Sequence, residues 1–181
     1  MDCYAGKELA DAFRTVRKNT IQVAEDIPES KYDFVAAPEV NTVRRMLTHV
    51  AVSTRFWEET DAKGLTTMQG FDFMPLLESN QADETKQRTK AEIIDLLLTN
   101  GEKFAAWLET LTPEVLAQRV TEPDGQAIKS RFERILGAKE HEMHHRAQLM
   151  LIERQLGIVP HLTRQRQERM ARMKAQRAAR V

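Results

Sequence analysis

Apolar side chains recur at steps of three and four residues along four long segments of the chain. This is the period of an α-helix that buries one face. The segments predict helices near residues 7–25, 42–60, 89–111 and 130–156. The alternation of apolar and polar residues that marks a half-buried strand is almost absent. The pattern therefore predicts an all-α protein with no sheet of consequence.

Capping residues and one long connection organise these helices. Thr89 and Glu92 have the spacing of a capping box at the start of the third helix, and Gly157 follows the fourth. The connection over residues 61–85 is long for a link between neighbouring helices. It predicts a crossover along the bundle, or a lid over an opening. Its apolar side chains are expected to pack against the bundle, and these are Phe71, Phe73 and Met74.

The C-terminal segment differs from the rest of the chain in charge. The whole chain has 27 Lys and Arg against 27 Asp and Glu, a formal net charge of zero. Residues 164–181 hold seven Lys or Arg and one Glu, a net charge of +6 that leaves −6 on residues 1–163. Good helix formers predict a basic helix there, with residues 164–175 packed on the bundle or a partner subunit through Met170 and Met173. We therefore divide the chain into a bundle, residues 1–163, and a basic helical tail, residues 164–181.

Composition narrows the class of protein. Cys3 is the only cysteine, so no disulfide can form within the chain, and a reducing cytoplasm is expected. No apolar run approaches the length of a membrane span. Charge is the tail's only feature that favours nucleic acid, since no nucleic-acid motif accompanies it. A basic helix folded over an acidic bundle explains the charge more simply, so neither a membrane nor a nucleic-acid partner is expected.

Histidines are concentrated on two of the predicted helices. Residues 141–145 read His-Glu-Met-His-His. At about 100° per residue, His141 and His145 fall within about 40° of each other on the apolar face. Two imidazoles spaced four residues apart on one helix face can converge on one metal ion. His144 falls about 60° to the other side of His141, and His161 lies in a predicted loop where no chemical role is expected.

A third ligand is needed, because two imidazoles rarely hold an ion tightly. His49 on the second helix is the best candidate, since bundles build metal sites from facing helices. A lone histidine on a helix is more often structural. An inward-facing pair favours metal binding, because two buried neutral imidazoles need polar partners. The segment also matches the zincin pattern HExxH, in which Glu142 would be the base. Glu142 lies about 100° from His141, which favours a structural role or one beside the ligands. Gln148 either contacts water at the metal or bonds a neighbouring helix.

The residues around these histidines resemble the DinB-like, damage-inducible family of metal-binding four-helix bundles. The resemblance rests on Leu-Thr-His-Val at residues 47–50 and on Glu-His-Glu-Met-His-His-Arg-Ala-Gln-Leu at residues 140–149. Only Ala147 departs from the family pattern, in which glycine is usual. The resemblance implies a bundle in up-down-down-up order over roughly residues 5–160, with a long crossover between the second and third helices. It also implies metal ligands at His49, His141 and His145, zinc or nickel as the divalent ion, and often a homodimer.

The resemblance favours a metal-dependent enzyme, either a hydrolase or a transferase that uses a low-molecular-weight thiol. Three neutral histidines leave an ion its full charge and open positions, which suits Lewis-acid chemistry. The alternative is a non-catalytic stress-response protein that binds a metal or a small ligand. No substrate and no catalytic residue are predicted. Residues expected beside the ligands rather than on the ion are Glu142, His144 and Gln148.

Overall fold

The computed structural model describes residues 5–180, so Cys3 lies outside the described residues. Its helices are Gly6–Asp26 (α1), Val43–Asp61 (α2), Met74–Glu84 (α3), Lys90–Glu109 (α4), Pro113–Ala117 (α5), Arg131–Gln155 (α6) and His161–Ala178 (α7). A 3₁₀ turn at Glu29–Lys31 and an antiparallel hairpin of Arg119–Thr121 (β1) with Ile128–Ser130 (β2) complete it. The four predicted helices are α1, α2, α4 and α6, which confirms the all-α bundle. Within residues 5–180, no helix has both the length and the apolar character needed to span a bilayer.

Hydroxyl side chains set where the bundle helices α4 and α6 begin. The Thr89 hydroxyl accepts from the Glu92 amide, and the Glu92 carboxylate accepts from the Thr89 amide at 2.7 Å. Ser130 and Glu133 form the same reciprocal box at the start of α6. Each cap satisfies backbone donors that a helix start leaves open, an effect of about 1 kcal/mol. The capping box predicted at Thr89 is therefore present.

Contacts between α1 and α4 show that these helices are antiparallel. Arg14, in the first half of α1, binds Glu109 at the end of α4. Lys90, at the start of α4, donates to the carbonyl of Ile27 at 2.8 Å, just after α1 ends. The beginning of each helix thus lies beside the end of the other.

Helix α2 runs parallel to α4 and antiparallel to α6. Arg44, near the start of α2, contacts the Arg88 carbonyl, while Glu58 near its end pairs with Lys103 at 3.1 Å. Asp61, the last residue of α2, binds Arg131, the first residue of α6, at 2.9 Å, and both side chains are fully buried. The four long helices therefore run up, down, down and up, as the resemblance implies, and the crossover carries the chain between the two parallel helices.

A polar layer divides the core into two apolar clusters. Phe13 and Phe104 meet edge to face in one cluster, with ring centroids 4.9 Å apart. Sequence position along α1, α4 and α6 places Arg17, Gly101 and Glu142 between the two clusters. The cluster near the start of α1 includes Leu9, Phe13, Phe104, Leu108, Ile135 and Ala138. The cluster near its end includes Val23, Ile27, Leu47, Ile93, Leu97, Leu149 and Ile152.

The polar layer is built around a buried ion pair. Arg17 Nε donates to Glu142 Oε2 at 3.1 Å, and both side chains are buried. The same guanidinium donates to the carbonyls of Leu97 at 3.1 Å and Val50 at 3.2 Å, so one side chain connects all four bundle helices. A Cβ atom at Gly101 would lie 2.8 Å from Arg17 Cγ, which explains a glycine inside α4.

The crossover contains a helix that the apolar pattern does not reveal. Helix α3 begins with Pro75 in its first turn, where a missing amide hydrogen costs nothing. Phe73 stacks on Phe56 of α2 with centroids 5.6 Å apart, and Phe71 contacts Phe73. Met74 is 56% exposed, so its expected packing is wrong. Phe56 stacks with Phe73, which in turn contacts Phe71, and Met74 lies outside this aromatic group.

The tail is helical, but it does not pack on the bundle of its own chain, while its packing on a partner subunit stays a prediction. The loop predicted at His161 is also wrong. His161 is not in a loop: it begins α7, is buried, and lies 3.1 Å from Asn19 Oδ1 through its Nε2. Met170 and Met173 do not pack on the bundle, since they are 45% and 56% exposed. Two methionines among arginines present too little apolar area to hold a cationic helix against the bundle.

Candidate metal centre

Three imidazoles meet between α2 and α6. His49 comes from the first half of α2, while His141 and His145 lie one turn apart on α6. The Nε2 atoms of His49 and His141 are 2.9 Å apart, and those of His141 and His145 are 3.2 Å apart. The structure therefore brings together the three histidines named from the sequence.

Hydrogen-bond acceptors orient two of the rings from outside. His49 Nδ1 lies 2.7 Å from Glu84 Oε1 on α3, and His145 Nδ1 lies 2.9 Å from Gln148 Oε1. A carboxylate or amide oxygen accepts a hydrogen bond, so each Nδ1 carries the proton of a neutral ring. The Nε2 atoms of both rings then present lone pairs to the centre. His141 Nδ1 is buried and has no hydrogen-bond partner among the described residues.

The surroundings lower the pKa of two of these imidazoles, His141 and His145. Burial, and then the neighbouring charges of His145, His49 and His144, lower the pKa of His141 to about 3. Burial also lowers the pKa of His145, although its hydrogen bond to Gln148 opposes this. A buried cationic imidazole beside other imidazoles is costly, so the rings of His141 and His145 are neutral at pH 7.

The spacing of the nitrogens fits a divalent ion. Nitrogens bound at about 2.0–2.1 Å to one ion, with angles of roughly 90–110°, lie about 2.9–3.4 Å apart. The observed separations of 2.9 and 3.2 Å fall in that range. Converging lone pairs at such distances repel each other unless a cation or a proton lies between them. The donor set and these two separations therefore suit one divalent ion, and the ligand atoms of all three histidines lie within 4.8 Å of one another.

Aromatic side chains cover one side of the centre. Trp57 contacts His141 with ring centroids 5.4 Å apart. Gly137 makes room for this indole, because a Cβ atom there would lie 3.1 Å from Trp57 Nε1. A cavity of about 230 Å³ is also lined by Trp57, together with side chains of both charges that include Lys129 and Glu140. At the centre itself, Gln148 is exposed and His145 is half-buried.

Glu84 is the functional residue that sequence reasoning missed. It lies 35 positions from His49, at the end of α3, and no local pattern links the two. Its neighbour Asp83 binds Arg55 of α2 and Arg88, which fixes the end of α3 over His49. The signal available was an adjacent Asp-Glu pair inside a connection predicted to be either a crossover or a lid.

The remaining candidates occupy different places. Among the described residues, Glu142 contacts Arg17 rather than the imidazoles, so it does not lie where the base of an HExxH zincin would. His144 is exposed and lies 3.1 Å from the Gln148 amide nitrogen. Gln148 therefore bonds the two histidines of its own helix instead of a side chain on a neighbouring helix.

Several known proteins are similar to this chain in sequence and in architecture. Protein YjoA of Bacillus subtilis is 24% identical over 152 residues, which cover 83% of this chain and 90% of YjoA. The crystal structure of YjoA, described as DinB-like, matches with a TM-score of 0.62 at 22% identity over 83% of this chain and 92% of its own. YfiT from Bacillus subtilis, described as a probable metal-dependent hydrolase with an unusual four-helix bundle topology, matches with a TM-score of 0.66 at 20% identity over 84% and 88%. The sequence pattern of the DinB superfamily matches residues 12–149, so this chain belongs to the DinB superfamily.

Proposed function

We propose that this protein is a metal-dependent hydrolase that holds one divalent ion, zinc or nickel, on His49, His141 and His145. The observation that carries the proposal is the convergence of three Nε2 atoms whose spacing suits a common ion. Imidazole nitrogen binds both metals well, so the ligands do not choose between them. The description of YfiT as a probable metal-dependent hydrolase supports the class of reaction.

The protein's residues prepare the centre for this chemistry. A divalent ion on three neutral ligands supplies Lewis acidity, because it keeps its full charge and open positions. Glu84 fixes the orientation of His49 and makes its Nε2 more basic, and Gln148 orients His145. Trp57 excludes solvent beside His141, while the side at the half-buried His145 and the exposed Gln148 admits a substrate.

Metal analysis and an activity screen test the proposal together. Protein purified without added chelator is analysed for metal, stripped, and reloaded with Zn²⁺ or Ni²⁺. We expect one ion per chain and hydrolysis of small ester or amide substrates only by the loaded protein. The His141→Ala variant is the matched control and should lose both properties.

Three outcomes contradict the proposal in distinguishable ways. Failure to bind a stoichiometric ion would reject the ligand set. Binding without turnover, both with and without a low-molecular-weight thiol, would leave a non-catalytic metal-binding protein. Turnover that appears only when the thiol is added would replace hydrolysis with thiol transfer.

A further inference from the structure

Helix α7 forms a cationic arm that leaves the bundle. Every residue in 165–180 is exposed. Two cations near the arm's start and middle are paired, Arg164 with Asp26 and Arg172 with Glu168. Four others have no ion pair within the described part of the chain, and these are Arg166, Arg169, Lys174 and Arg177.

The root of the arm is fixed to the bundle. His161 is 3% exposed and its Nε2 lies 3.1 Å from Asn19 Oδ1 of α1. Arg164 reaches Asp26 on the same helix, and Arg154 of α6 donates to the Thr163 hydroxyl at 3.2 Å. These contacts from two bundle helices set the direction in which α7 leaves. The arm is therefore presented to a partner in one orientation.

The exposed part of the arm lacks the contacts that normally stabilise a short helix. A helix of about 15 residues is marginal in water without packing, and like charges three residues apart weaken it further. The expected explanation for the tail's charge was a helix folded over the acidic bundle, and the exposure of residues 165–180 contradicts it. A polyanion outside the bundle would supply the missing counter-charge.

The arrangement of the free cations suits a line of phosphates. At about 100° per residue, Arg166, Arg169, Lys174 and Arg177 fall on one face about 140° wide. The 18-residue helix is about 27 Å long, and the major groove of duplex DNA admits a helix. Contacts between such cations and backbone phosphates need no base recognition.

Other partners require apolar surface that α7 does not offer. Helices that lie on membranes carry a broad apolar face, and stable interfaces between protein copies have an apolar core. Met170 and Met173 are the only large apolar residues exposed on α7 within the described chain. We propose that α7 binds the sugar-phosphate backbone of nucleic acid without sequence preference, a property separate from the metal centre.

Fluorescence anisotropy with the full-length chain tests this proposal. The probe is a labelled duplex DNA of about 20 base pairs and arbitrary sequence, titrated at several salt concentrations. Four phosphate contacts predict that log K falls with log salt with a slope of about −3.6. Replacing Arg166, Arg169, Lys174 and Arg177 together by Gln should weaken binding at least ~100-fold at ~0.1 M salt. Gln keeps a good helix propensity at these exposed positions.

A variant with the same change in net charge is the matched control. Lys7→Gln, Lys18→Gln, Lys31→Gln and Lys63→Gln remove four exposed cations from the rest of the chain. This control should bind within about threefold of the unaltered protein, because only a local line of charge releases counterions from adjacent phosphates. Circular dichroism of both variants establishes that the bundle is intact.

Several results would overturn the proposal. Equal binding by the arm variant and the unaltered protein would remove α7 from the interaction, and equal losses in both variants would assign it to general charge. A dimer that dissociates in the arm variant, without DNA binding by either protein, would assign α7 to a second copy. Binding to vesicles of anionic lipid, but not to DNA, would assign it to a membrane surface.

Discussion

His141 and Glu142 are adjacent on α6, yet they belong to two different polar groups. One group is an ion pair balanced within the chain, and the other is a set of imidazoles suited to an external cation. The charge of Glu142 is balanced from within the chain by Arg17, at an oxygen-to-nitrogen distance of 3.0 Å. His141 instead joins two other imidazoles whose lone pairs converge. Neighbouring residues of a helix point about 100° apart, so Glu142 enters the buried ion pair while His141 enters the centre suited to an external cation.

The comparison shows why only one of these groups must have its charge balanced within the folded chain. An imidazole can lose its proton, so His141 and His145 avoid a buried charge. A guanidinium cannot, so Arg17 requires its carboxylate and the two carbonyls that it contacts. Removal of metal should therefore weaken the protein without unfolding it.

The largest expected effect comes from removing a histidine from the centre. His141→Ala should abolish stoichiometric metal binding, a loss of affinity greater than ~100-fold, because even residues that merely orient ligands contribute 10–100-fold. His144→Ala should retain one ion per chain. Chelator competition monitored by metal analysis measures both variants. Retention of metal by His141→Ala with loss in His144→Ala would make His144 the ligand.

The next effect separates the ion pair from the metal centre. Glu142→Ala leaves Arg17 buried without its carboxylate and should lower the free energy of unfolding by about 3–5 kcal/mol. The double variant Arg17→Met, Glu142→Leu should recover most of that loss, since no charge remains buried. Denaturant unfolding provides the free energies. Metal stoichiometry should persist in the double variant, and its loss would mean that Glu142 acts on the metal centre after all.

A third buried polar group, the carboxyl of Glu153, avoids a buried charge by keeping its proton. Burial, followed by the charge of Asp26, raises the pKa of Glu153 from 4.5 to about 7, against opposing charges on Arg164 and Arg154. Neither carboxyl oxygen has a hydrogen-bond partner among the described residues. The folded protein thus holds this proton up to about pH 7, whereas the unfolded chain releases it near pH 4.5.

Stability contributed by protonated Glu153 is complete below about pH 4.5 and is lost as the pH rises through about 7. The loss amounts to no more than about 3 kcal/mol. Glu153→Gln should remove this part of the pH dependence, and denaturant unfolding of both proteins at several pH values isolates it. The buried histidines contribute with the opposite slope in both proteins, so the difference between the two curves reports Glu153. Parallel curves would mean that Glu153 is ionised in the folded protein.

The smallest effect concerns the residue that orients His49. Glu84→Ala should lower metal affinity by about 10–100-fold without changing its stoichiometry. Glu84→Gln should lose less, because an amide oxygen can still accept from His49 Nδ1. Glu78→Ala, on the exposed part of α3, is the control and should bind normally. Normal affinity in Glu84→Ala would show that the hydrogen bond does not contribute to the centre.

Local signals account for what could be predicted about the fold. The four bundle helices are predicted by the helical period of their apolar residues. The capping box at the start of α4 is predicted by Thr89 and Glu92, which lie three positions apart. Helix α3 was not predicted because its residues show no apolar stripe and none of them is fully buried. The helical tail was predicted from propensity, but its position was not, since the partner of Arg164 is Asp26, 138 positions away.

The sequence by itself determined the long helices and the inward pair of His141 and His145. These features depend on neighbours within one or two turns, where helical geometry fixes which side chains share a face. Only the tertiary structure decided which residues meet across the bundle. Glu142 reaches Arg17 from 125 positions away, and Glu84 reaches His49 only because the crossover returns over α2. Such contacts depend on the path of the whole chain, so no local pattern encodes them.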